Sequence, residues 1–449
     1  MSDARRTKET DAGAGSELER ELKTAQPAAA RRRFRRRAWL VAITAPLAVL
    51  GPGLISANAG NEAGSIATYA SVGARYGYDL LWLMVLITIS LIVVQEMAAR
   101  AGVVTGKGLA ELIREHYGVR WSAFSVLSIL LANLAITVSE FVGIGAASRL
   151  LGVPPQLTIP LAAVLVWAIL VRGSYRTAER VFIAFTIVFF AYPVAAILAH
   201  PHWGAIGHRV LLPHFHATSE YVLLVGAMVG ATITPFMQLY LQSAISERGT
   251  RTESMRRERV DVATGALFAN LVAAFVIIAT AAALHEHGIT TVSSASDAAK
   301  ALQPFAGHFA KELFAIGLLG SSLLAAAILP VTVAYVLAES FGVEKGIGHR
   351  FHEAPHFVAT ITALIAVSAA VALVPQLPVI SFLVGIQDLN GVLLPVTLFF
   401  LWRLSSNGEL MGRWRNGRVF NALATLTIVC VSALSLLLIA VAAGRVFGV

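Results

Sequence analysis

Apolar residues arrive along this chain in runs of roughly 20, separated by short polar stretches, the spacing of helices that cross a hydrocarbon core. The runs predict about eleven spans, at 39–73, 79–100, 121–150, 155–172, 176–199, 219–246, 259–285, 311–341, 356–374, 379–403 and 419–446. Two of them are interrupted. Trp39 to Ile55 is apolar, but Ser56 to Ser65 is small and glycine-rich, and helical residues resume at Ile66. This predicts a break around Ala59–Gly64. The second break falls around Gly230–Pro235, where Pro235 removes a helix hydrogen bond and pushes Thr234 out of helical geometry. Broken segments opening each of two five-helix halves predict an inverted-repeat transporter, with both breaks at the bilayer midplane. That inference rests on position, since the halves share no visible sequence identity.

Composition agrees with the pattern. The 449 residues are 57% hydrophobic and 14% charged, which predicts an all-α polytopic membrane protein. The net charge of +9 is explained by Arg31, Arg32, Arg33, Arg35, Arg36 and Arg37, which stand directly before the first span. They predict a cytoplasmic N-terminus and a contact for anionic lipid. Arg114, Arg120, Arg172, Arg176, the cluster from Arg248 to Arg259, and Arg413 to Arg418 fall on the same side, which leaves the C-terminus outside a bacterial inner membrane. Nucleic acid is excluded as a partner, because only Phe34 is available among the arginines for stacking on bases. Residues 1–37 are expected to be a disordered basic tail and 38–449 a single transmembrane domain. The first apolar run is too long for a signal peptide. The single cysteine, Cys430, excludes an internal disulfide and a cysteine-built metal site. Oligomeric state is not specified by any pattern.

Candidate chemistry concentrates at the first break. Glu62 is a carboxylate at membrane depth on unwound backbone, where an ionisable group by default marks an ion or proton pathway. The competing role for Glu62 is a cap on the resumed helix. Glu140, in Thr137–Phe141, is a second carboxylate for the pathway or a carboxyl bonded to a neighbouring helix. Asp388, near Gln387 and Asn390, serves the site or caps a bend. Glu96 and Arg100, at i,i+4, predict a structural ion pair. The segment 288–310 predicts a loop with a short helix. All twelve histidines lie in loops or at span ends, so no proton relay of histidines runs through the membrane. His349-x-x-His352 is a solvated pair by its polar setting. Gly102 to Gly108 echoes a phosphate loop with the wrong spacing and is expected to be an interhelical turn.

Gln95-Glu96-Met97-Ala98-Ala99-Arg100-Ala101-Gly102-Val103-Val104-Thr105-Gly106-Lys107-Gly108-Leu109 resembles the second helix and following loop of the Nramp divalent-metal transporters. Gly51-Pro52-Gly53 and Tyr76-Gly77-Tyr78-Asp79-Leu80-Leu81-Trp82 fit the same family, and the similarity runs from about Pro52 to Gly412. The resemblance implies a LeuT-type 5+5 inverted repeat with helices 1 and 6 broken. It places the family's Asp-Pro-Gly-Asn on Glu62-Ala63-Gly64-Ser65 and its Ala-x-x-Met-Pro-His on Ala231-Thr232-Ile233-Thr234-Pro235-Phe236. The metal-binding Asp thus becomes Glu62, the Asn becomes Ser65 and the Met becomes Thr234. Phe236 and Gln242 replace the sixth-helix histidines, and Thr137 replaces the Asp of the acidic pair that keeps Glu140.

Losing the thioether removes a preference for softer ions, and oxygen ligands among small residues suit Mg²⁺, which keeps its waters. The pattern is similar to the Nramp-related magnesium transporters, although Glu62 stands where that branch carries Asp. The implied function is Mg²⁺ uptake driven by membrane potential without proton coupling. Glu62, Ser65, Ala231, Thr234 and Gln387 would hold the metal, with Asn61, Glu140, Met237, Gln238 and Asn390 along the pathway. No cofactor and no enzymatic activity are expected. The alternatives are a proton-coupled Mn²⁺/Fe²⁺ symporter, with Met237 supplying sulfur, and a non-transporting sensor or scaffold of the same fold.

Overall fold

The computed structural model describes residues 52–173, 191–198, 200–293, 295–299, 307, 310–346, 352–374 and 378–447. The tail boundary at 37/38, the N-terminal arginines, most of the expected span 176–199, and His349 lie outside these residues. Among them the regular structure is helical, and nine helices are long and apolar enough to cross a membrane. The broken first span from Pro52 and Ala191–Leu198 are the described parts of the other two expected spans.

The first span is two short helices, α1 (Pro52–Ala59) and α2 (Ala63–Tyr76). Then follow α3 (Leu81–Thr105), α4 (Leu109–Leu150) and α5 (Pro155–Arg172). After α6 (Ala191–Leu198) and α7 (Trp203–Leu211) comes the second broken span, α8 (Ser219–Thr232) and α9 (Pro235–Glu247). The chain continues through α10 (Met255–Ala283), α11 (Ala295–Ala299) and α12 (Ala310–Phe341). It ends in α13 (Pro355–Ala372), α14 (Val379–Ser406), α15 (Gly408–Met411) and α16 (Arg418–Phe447).

The first break is shorter than its sequence predicts. Helix persists to Ala59 and restarts at Ala63, so the interruption covers Gly60–Glu62, inside the expected Ala59–Gly64, while Ser56–Asn58 stay helical. Side chains hold both stumps. Asn58 donates Nδ2 to the Leu54 carbonyl, and the Glu62 side chain accepts the backbone N–H groups of Gly64 and Ser65. The second break is likewise tight, at Ile233 and Thr234, with Pro235 at the first position of α9. Gly230 lies inside α8, where a Cβ would come within 2.1 Å of the Gln387 carbonyl oxygen on α14. That glycine is what lets the two helices touch.

Around the breaks pack α3, α4, α10, α12 and α14, with Tyr69, Tyr240, Phe141 and Phe236 fully buried. The outer helices show the opposite face. Leu161 and Val164 on α5 and Leu426 and Leu436 on α16 are exposed, as in a helix whose solvent is lipid. The expected interhelical turn at Gly102–Gly108 is present, with Gly106 left-handed at φ 64° as the cap of α3. The Glu96–Arg100 pair also forms, at 3.0 Å, and Arg259 binds the other Glu96 oxygen at 2.8 Å.

Candidate metal centre between the two broken helices

Glu62 is the cap of α2 with extended backbone (φ −76°, ψ 177°), and it is fully buried. Its Oε2 accepts the Gly64 N–H at 2.8 Å, and its Oε1 accepts the Ser65 N–H at 3.0 Å. The carboxylate that caps α2 is thus the same one proposed from sequence for the site. Gln387, on α14, donates Nε2 to Glu62 Oε1 at 2.5 Å, and Asn390 in turn donates Nδ2 to Gln387 Oε1 at 3.0 Å. This reach needs Gly64, because a Cβ there would lie 2.2 Å from Gln387 Nε2.

The second broken helix contributes a bare carbonyl. In α8 the carbonyl of Ala231 would normally accept the N–H four residues on, but that residue is Pro235, which has none. The orphaned oxygen instead faces Ser65, whose Oγ is 3.0 Å from Ala231 O and 2.8 Å from Glu62 Oε1. One hydroxyl proton serves one of these acceptors at a time. The ends of α2 and α8 thus meet through Glu62, Ser65 and the Ala231 carbonyl. Thr234, the first residue beyond α8's cap, is buried with its Oγ1 making no protein hydrogen bond, as are both amide atoms of Gln238 one turn into α9. Unpartnered polar atoms at such burial line a wet or ion-bearing space more readily than a dry core.

Glu140 reaches the same place from α4. It is fully buried, its Oε2 accepts the Ala63 N–H at 3.3 Å, and its carboxyl group interacts directly with that of Glu62. Two carboxyls so close and so buried repel one another when both are charged, which favours a cation beside them.

The remaining candidates separate. Met237 packs across the first break: a Cβ on Gly60 would lie 2.6 Å from its Cε and 3.2 Å from its Sδ. Its backbone carbonyl accepts the Ser56 hydroxyl at 2.7 Å. Asn61 turns away and donates Nδ2 to the Ala269 carbonyl on α10 at 3.1 Å, so it braces the break. Asp388, next to Gln387 on α14, is half-buried. Gln242 lies further along α9 and donates to the Lys107 carbonyl at 3.0 Å. The sequence pattern did not single out Ser56, and it marked Gly64 and Gly230 as small or helix-breaking residues without their contacts to Gln387. The two glycines carry no chemical label, since their work is to leave space for Gln387 and its backbone.

The family model of natural resistance-associated macrophage protein-like (Nramp) proteins matches residues 53–441. A crystal structure of the manganese transporter of Eremococcus coleocola is similar, with TM-score 0.71 and 21% identity over 88% of this chain and 87% of that one. Mhp1, a nucleobase-cation-symport-1 family transporter in a closed conformation, aligns with TM-score 0.54 and 14% identity, covering 87% of this chain and 90% of its own. MhsT in complex with L-phenylalanine aligns with TM-score 0.55 and 15% identity, covering 87% and 98%. These likenesses carry the LeuT-type fold. With its two broken helices meeting at Glu62 and its match to the family over residues 53–441, the chain belongs to the Nramp family of divalent-metal transporters.

Proposed function

We propose that this Nramp member carries a hard divalent cation, Mg²⁺ first, inward along the membrane potential. The observation that supports the reading is the donor set. Glu62, Ser65, the Ala231 carbonyl and Gln387 form one buried cluster joined by oxygen and amide groups, with Thr234 nearby and neither thioether nor imidazole joined to it. Oxygen donors of this kind suit Mg²⁺, which gives up only part of its water shell. Two charges moving inward gain about 4.6 kcal/mol per 100 mV, which drives accumulation without a second ion. The positive-inside bias puts the N-terminus in the cytoplasm.

One observation favours a second reading, proton-coupled Mn²⁺ or Fe²⁺ symport. Glu140 against Glu62 offers a place for one proton that an arriving cation would expel. Met237, packed on Gly60, brings a thioether to the break. Manganese is also what the Eremococcus coleocola neighbour transports.

Purified protein in liposomes, loaded with a divalent-cation indicator and a pH indicator, separates the readings. Mg²⁺ entry under an inside-negative potential, with steady internal pH, is expected. Mn²⁺ entry accompanied by acidification, with Mg²⁺ unable to compete, would replace the first reading by the second. No uptake of either ion, together with ion binding unchanged in Glu62→Ala, would leave a non-transporting sensor.

A further inference from the structure

Away from the midplane, three ligand-bearing side chains meet where the two broken spans reach one end of the bundle. Asp79 lies in the turn after α2, and His214 and His216 lie in the loop before α8. One Asp79 oxygen and one ring nitrogen from each histidine all lie within 4.8 Å of one another. His216 Nε2 is 2.9 Å from Asp79 Oδ2, while Arg209 Nε holds the other oxygen, Oδ1, at 3.2 Å.

This loop is held in shape. The Tyr221 hydroxyl donates to the His214 carbonyl at 3.1 Å, and the Thr218 N–H donates to the His216 carbonyl at 2.9 Å. The His216 ring is boxed by Tyr76 and Tyr221, at centroid distances of 5.1 and 5.4 Å, with the His214 ring 5.0 Å away. The Asp79 side chain is 16% exposed and that of His216 35%, while His214 is exposed, so the cluster opens on one side to solvent.

We propose that Asp79, His214 and His216 form a second metal site, for a borderline divalent ion of the Zn²⁺ class. Two imidazoles and one carboxylate are the donors such an ion selects, and three protein ligands leave a fourth position for water. Arg209 orients the carboxylate by fixing Oδ1, as outer partners of metal ligands do, and its charge weakens the affinity for a cation. The chemistry is opposite to that around Glu62, where the assembled groups are oxygens and amides. The site also ties the far end of α2 to the near end of α8, the two half-helices whose other ends meet at Ser65 and Ala231. A bound ion would therefore restrain their relative motion and slow transport.

The test titrates the tag-free, full-length protein in detergent with ZnCl₂ alone by calorimetry, comparing wild type, Glu62→Ala and His214→Ala/His216→Ala. One micromolar equivalent is expected in wild type and Glu62→Ala, and it should be lost in the double variant. Zinc-edge X-ray absorption on the wild type should show two imidazole ligands, a readout that does not depend on any variant folding. Absence of binding in wild type, an unchanged equivalent in a folded double variant, or a zinc shell without imidazole would each overturn the proposal. Since the readout is Zn²⁺ binding, it stands or falls apart from which ion the central site carries.

Discussion

Glu62 is held by Gly64, Ser65 and Gln387 at the point where α2 begins, so its charge and its shape can be varied separately. Glu62→Gln keeps the size and removes the charge. Divalent uptake in liposomes is expected to fall by about 100-fold, the equivalent of roughly 3 kcal/mol for an ion that loses its charged partner. Glu140→Gln tests the neighbouring carboxyl: uptake without internal acidification in wild type predicts a variant whose ion-to-proton stoichiometry is unchanged. A symporter would instead lose its proton signal in that variant. At this scale the residues read from sequence were those whose own surroundings are unusual. Glu62, Ser65, Thr234 and Pro235 sit in short-range patterns that a single chain displays. Gln387 has no such local pattern: its reach to Glu62 depends on a missing Cβ at Gly64, 323 positions away, and nothing beside either residue announces the contact.

The helices were visible as hydrophobic runs, and their breaks as small residues and a proline. The expected break, Ala59–Gly64, brackets the observed Gly60–Glu62, and it is shorter because the Glu62 cap lets helix resume at Ala63. The second break has a sharper cause. Pro235→Ala would return an N–H that can bond to the Ala231 carbonyl and take it from Ser65. The expected outcome is a protein at least as stable to heating in detergent, with uptake reduced about tenfold, a loss of ~1.4 kcal/mol at the site. Equal uptake would remove the Ala231 carbonyl from the transport path. Gly230→Ala acts on packing instead: its methyl would meet the Gln387 backbone, and a clash of this kind costs about 1–3 kcal/mol, to be read as a lower melting temperature.

For the molecule as a whole, charge movement gives the strongest expectation. If two charges cross per cycle, the accumulation ratio rises about tenfold for each 30 mV of inside-negative potential. Liposomes clamped by potassium gradients and an ionophore measure this directly, and a ratio indifferent to voltage would exclude net transfer of charge. Global stability depends elsewhere on the buried knot at the end of α3. Arg100 binds Glu96, the Trp414 carbonyl and Asn416, and Arg259 shares Glu96. Glu96→Ala strands one buried arginine and is expected to cost on the order of 3 kcal/mol in thermal unfolding. The pair itself was readable from its i,i+4 spacing. Its connection to the loop at Trp414 and Asn416 was not, since more than 300 residues separate the partners.

The carbonyl freed by Pro235 also bears on inheritance. A backbone oxygen is indifferent to the codon at its position: alanine, serine or glycine at position 231 would all present the same one. Drift at that position leaves the contact with Ser65 intact, while a change at position 235 abolishes it without touching either atom that makes it. Natural variants that lose transport through this contact are therefore expected at Pro235, four residues from the atom they disable.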